Sequence, residues 1–107
     1  MKKILAFFLI SIGSIAQSAT YYCTAPKWGA ETKFDGTVNA PGAMGTLLYF
    51  GPNPGDADTN GTYKFETATQ FKMYFEGEPV HICDQWQPKL WYCKMGKWFW
   101  YKLNCDF

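Results

Sequence analysis

Four cysteines constrain this chain more than any other feature. Cys23, Cys83, Cys93 and Cys105 all follow a leader-like N-terminus. An even count in a small exported chain reads as two disulfides. Zinc is the competing chemistry, but the closest ligand pair is His81 with Cys83 and no second pair stands at metal-ligand spacing.

The export reading comes from the first nineteen residues. Lys2 and Lys3 form a basic start, and an apolar run from Ile4 to Ile15 is broken only by small residues. Ala16-Gln17-Ser18-Ala19 then offers a small-residue exit. Together these make a cleavable signal peptide over residues 1–19, with cleavage after Ser18 or after Ala19. The run is shorter than the ~20 apolar residues of a membrane-spanning helix. The expected product is a single β domain over residues 20–107, secreted or periplasmic. That span carries eight lysines against nine acids, a net charge of −1, and no arginine. Such a balance lacks the electrostatic footprint of a nucleic-acid binder. The scattered lysines also argue against an anionic membrane surface after the leader is removed.

Short aromatic and β-branched runs punctuated by glycine and proline dominate the domain. Strands are expected at Tyr21–Thr24, Thr46–Phe50, Thr62–Thr67, Gln70–Glu76, Val80–Asp84, Leu90–Lys94 and Trp98–Asn104. Tyr63 and Phe65 alternate with Lys64 and Glu66, and Phe71, Met73 and Phe75 with Lys72, Tyr74 and Glu76. Pro26–Met44 shows little periodicity and reads mostly as loop, with one short strand around Phe34. No segment carries a useful helical period. The fold class is therefore all-β, a small antiparallel β-sandwich or barrel stapled by two disulfides. A turn about Pro88 would set Cys83 opposite Cys93 and leave Cys23 for Cys105, tying the first strand to the last. The other two connectivities stay open.

Catalytic constellations are sparse. His81 is the sole histidine, and it reads as a half-exposed strand residue. All three serines, Ser11, Ser14 and Ser18, belong to the leader. Glu76 and Glu78 flank Gly77, and a hydrolase would need one of them in a cleft with Asp84. No enzymatic activity is expected. Asp56-Ala57-Asp58-Thr59-Asn60-Gly61 matches the opening of a calcium loop, making Asp56, Asp58 and Asn60 candidate ligands. Position twelve is Thr67 rather than a bidentate glutamate, so any calcium affinity would be weak. A solvated turn, with Asn60-Gly61 supplying positive φ, is the preferred reading.

The aromatic excess is what remains. Trp86, Trp91, Trp98 and Trp100 crowd the C-terminal end together with Tyr92, Phe99, Tyr101 and Phe107. Strand alternation puts Trp98 and Trp100 on one face and Phe99 and Tyr101 on the other. The Phe99 face leads on to Leu103 and is assigned to the core. The four tryptophans are then candidates for a surface that engages a protein or a glycan, since such platforms stack on sugars and anchor interfaces. The alternative is that they simply build the core of a small domain.

The placement of Tyr21-Tyr22-Cys23 and Cys105, with Asn60-Gly61-Thr62-Tyr63 between them, resembles that of the secreted inhibitors of C-type lysozyme. In those inhibitors the middle motif is Ser-Gly-x-x-Tyr, so here Asn60 replaces the serine and the tyrosine comes one place early. Their late Lys-Gly corresponds to the reversed order Gly96-Lys97 here. The resemblance implies a small antiparallel barrel, a bridge between Cys23 and Cys105, and inhibition of a lysozyme-type enzyme in the periplasm as the alternative function.

Overall fold

The computed structural model describes residues 19–51 and 57–107. The signal-peptide reading therefore lies outside the described residues, apart from Ala19. Among the described residues eight strands run in sequence: β1 (Ala19–Ala25), β2 (Ala30–Gly36), β3 (Met44–Phe50), β4 (Thr59–Thr67), β5 (Gln70–Phe75), β6 (His81–Gln87), β7 (Leu90–Met95) and β8 (Phe99–Cys105). Each pairs antiparallel with the next, and β8 returns to β1 through Cys23 opposite Cys105 and Thr24 opposite Asn104. The result is a closed up-and-down barrel, which removes the exposed sheet edges of an open form. Of the two expected architectures, the barrel is the one adopted.

Alternation sets the wall. On β4 and β5, Tyr63, Phe65, Phe71 and Met73 are buried while Lys64, Glu66 and Tyr74 face outward. The segment expected as loop contains the full strand β2. Its inward residues, Ala30, Thr32 and Phe34, alternate with Glu31, Lys33 and Asp35, and Ala and Thr at inward positions blunt the hydrophobic signal that would have revealed it. A two-residue turn at Pro88-Lys89 joins β6 to β7, with Lys89 at φ 67°.

Asn60 and Gly61 do not form a turn; both lie within β4. Gly61 faces Leu47 on one side and Phe75 on the other. A Cβ there would stand 2.6 Å from the Tyr74 carbonyl oxygen and 2.9 Å from both the Leu47 and Phe75 side chains. The glycine serves close packing rather than a positive φ.

Both disulfides join residues that face each other in the ladder. Cys83 and Cys93 bridge β6 to β7, and Cys23 and Cys105 bridge the closing seam, with no free cysteine among the described residues. Two intramolecular disulfides suit an oxidising compartment, extracellular or periplasmic. Among the described residues no helix is long and apolar enough to cross a membrane.

The two ends of the barrel differ. Towards the end that carries the chain's last residues, Phe34, Phe65, Phe71 and Trp91 interlock with Phe107, whose ring lies 5.3–6.0 Å from each of them. The Trp91 indole N–H donates to the Phe107 carbonyl oxygen at 3.0 Å. Edge-to-face and tilted rings at these separations pack favourably, and together they plug this end.

Candidate functional site

The opposite end is open. The β1–β2 turn, the β5–β6 and β7–β8 connections, the end of β3 and the start of β4 converge there, around a cavity of about 600 Å³. Its existence follows from side-chain size. Where the plugged half has phenylalanine and tryptophan, the inward positions here include Ala25 and Thr32, which cannot fill the lumen. The wall is otherwise apolar, with Tyr49, Met73, Phe75, Phe99 and Leu103. Trp28, in the β1–β2 turn, stacks on Phe99 at 5.4 Å, and Lys27 Nζ lies 4.8 Å from the Phe99 ring.

Polar groups enter the cavity at few places. His81, expected to be half-exposed, is buried because it opens β6 on the inward face. Its Nδ1 lies 2.6 Å from the Tyr101 hydroxyl and its Nε2 2.9 Å from Glu78 Oε1. The neutral tautomer that satisfies both contacts donates from Nε2–H to the carboxylate and accepts the tyrosine O–H at Nδ1. Burial, reinforced by the Glu78 carboxylate and then by Tyr49, pushes the Tyr101 phenol well above its ordinary range. Thr32 is 6 % exposed and lines the cavity, and its hydroxyl has no hydrogen-bond partner among the described residues.

The tryptophans singled out from the sequence do not form one surface. Trp91 is a correction: it is fully buried, because β7 turns Trp91 and Cys93 inward together. Trp98, in the β7–β8 turn at the open end, is 90 % exposed. Trp100 follows on the outer face of β8 at 55 %, with Lys94 Nζ 5.4 Å from its ring. Trp86 sits towards the plugged end, against Tyr92 on the outer wall. Phe99, Tyr101 and Leu103 face the lumen as expected from alternation.

The remaining candidates disperse. Asp84 is on the outer wall accepting from Gln70 Nε2 at 2.9 Å, so it shares no cleft with Glu78. Asp58 precedes β4 and Asn60 lies within it, while Asp56 falls outside the described residues. Among the described residues no group of three or more His, Cys, Asp or Glu is arranged to hold a metal. The cavity draws Trp28, Thr32, Tyr49 and His81 from four separate segments, so no local sequence pattern marks them as a set. The one signal for the cavity is the small or weakly polar residue at inward positions of β1 and β2, Ala25 and Thr32, and that shows only once the strands are known.

Comparison with protein families, curated proteins and solved structures finds no match to this chain. What the geometry defines is a class: a disulfide-bonded, aromatic-rich β-barrel, compatible with a binding role.

Proposed function

We propose that this chain is an exported, non-catalytic binding protein that takes its ligand at the open end of the barrel. The observation that carries the reading is the contrast between the two ends. One is filled by five interlocked aromatic rings, and the other holds a cavity of about 600 Å³ in a largely apolar wall. Cavities of a few hundred Å³ with an apolar lining and a few convergent polar groups are the usual form of small-ligand sites. The absence of catalysis is supported by the engagement of both His81 nitrogens, by the oxidation of all four cysteines and by the lack of serine after the leader.

Docking of a protein or glycan is a second reading, favoured by Trp98 and Trp100, which expose large aromatic surface at and just below the rim. Inhibition of a lysozyme-type enzyme is one form of it. The segment Asn60-Gly61-Thr62-Tyr63 lies within β4, and Tyr63 points into the core.

Amide chemical-shift mapping of the processed, oxidised protein tests the first reading, with octan-1-ol and maltotriose as separate probes. Shifts from at least one probe should cluster at Ala25–Ala30, Phe75–His81 and Met95–Phe99. Shifts confined to the outer wall around Trp86 and Tyr92, or none from either probe, would overturn it.

A further inference from the structure

We infer that the cavity selects a neutral, mainly apolar small molecule bearing one hydroxyl or carbonyl oxygen, which pairs with the Thr32 hydroxyl. This rests on the open-end reading and adds the chemistry of the ligand.

Three observations lead to it. First, the wall offers apolar contact from several directions: Met73 and Phe75 on β5, Phe99 and Leu103 on β8, Tyr49 on β3 and Trp28 from the rim. A ligand that is mostly hydrocarbon or ring gains from leaving water against such a wall. Second, Thr32 is more than nine-tenths buried, faces the cavity, and has no partner among the described residues. A buried hydroxyl without a partner is costly. A ligand that displaces water from it must return a hydrogen bond, and a single oxygen does so, because threonine both donates and accepts.

Third, the charges at the cavity are unsuited to an ionic head group. Among the described residues Glu78 is the sole formally charged one in the lining, and one of its oxygens is already taken by His81. An anionic ligand would meet that carboxylate in an apolar setting, and Lys27 is held at the rim over the Phe99 ring. A cationic head has only the half-exposed Glu78 as counter-charge, and exposed pairs contribute little. Tyr101 is occupied in the same chain of contacts, donating to His81. The Tyr49 and Thr59 hydroxyls also reach the lining but from less buried positions, so Thr32 is the buried polar anchor without a partner among the described residues.

The test uses one alkyl skeleton with three head groups, octan-1-ol, octanoate and octylamine. Each is titrated at pH 7 by calorimetry into the wild-type protein and the Thr32→Val and Glu78→Gln variants. Octan-1-ol should bind at least tenfold more tightly than octanoate and more tightly than octylamine. Thr32→Val keeps the shape, so it should lower octan-1-ol affinity about fivefold, the worth of one neutral hydrogen bond. Glu78→Gln removes the like charge at the cavity, so it should narrow the gap between octan-1-ol and octanoate. Three results overturn the inference: octan-1-ol that does not bind, octan-1-ol affinity indifferent to Thr32→Val, or octylamine binding tightest with that preference lost in Glu78→Gln. A failure of octan-1-ol combined with maltotriose shifts at the open end would remove the ligand class and leave the site reading intact.

Discussion

Separate substitution of Trp91 and Trp98 should divide packing from exposure. Trp91 is enclosed by Phe65, Phe71 and Phe107 and donates to a backbone carbonyl. Trp91→Ala should therefore cost about 3–5 kcal/mol in urea denaturation. Trp98→Ala should stay within about 0.5 kcal/mol, the usual size of an exposed substitution; a loss above about 2 kcal/mol would show that Trp98 packs on something. Gly61→Ala is a third case. It forces a Cβ against the Tyr74 carbonyl and two apolar side chains, so about 1–3 kcal/mol should be lost. The legibility of these residues from sequence differed for a physical reason. Strand alternation put Phe99 and Leu103 inward and Trp98 and Trp100 outward without knowledge of the barrel. Trp91 needed the phase of a six-residue strand whose neighbours Leu90 and Tyr92 are themselves apolar. Where both faces of a strand carry large apolar residues, alternation cannot say which one is the core.

The strands themselves were legible wherever the inward residues are large. β4 and β5 announced themselves through Tyr63, Phe65, Phe71 and Met73. β2 did not, because Ala30 and Thr32 face inward there, and those small residues also leave the lumen open. The strand hardest to see is thus the one that makes room for the cavity. The disulfides belong to this scale as well. Cys83–Cys93 closes a separation of 10 residues and Cys23–Cys105 one of 82. On the chain-entropy model these contribute about 3 and about 4–5 kcal/mol. Replacing Cys23 and Cys105 with alanine should lower the denaturation midpoint more than replacing Cys83 and Cys93. Equal losses would show that strain or residual structure dominates over loop entropy.

For the molecule as a whole, alkaline pH should be a controlled route to unfolding. Burial, with smaller contributions from Tyr21 and Asp35, pushes the Tyr63 phenol up to about 12, and Tyr101 is pushed up for its own reasons. Tyr63 also donates to the Thr37 carbonyl at 2.8 Å. Tyrosines in the unfolded chain ionise near pH 10. Below that value the stabilising contribution is fully present. Between pH 10 and about 12 the native state keeps protons that the unfolded state has lost, so stability falls as pH rises. Urea denaturation at pH 8, 10 and 11 should show this fall, with a shallower slope above pH 10 in Tyr63→Phe. An unchanged slope in that variant would remove Tyr63 from the account.

The seam between β1 and β8 also has a meaning in time. Every other ladder in the barrel joins strands that are neighbours along the chain, so each can form soon after its own segment is available. The seam joins Cys23 to Cys105 and must wait for the last strand to be delivered. Contacts of such sequence separation are slow, because the entropy of closing the chain is spent before the contact repays it. Oxidation at the seam then acts as a latch on an otherwise assembled sheet. During refolding from the reduced state, acid-trapped intermediates should carry the Cys83–Cys93 bridge first and acquire Cys23–Cys105 last. An oxidant that works too early would fix wrong pairs before the final strand has arrived, so the yield of correctly paired barrel should depend on how well oxidation is timed to the delivery of β8.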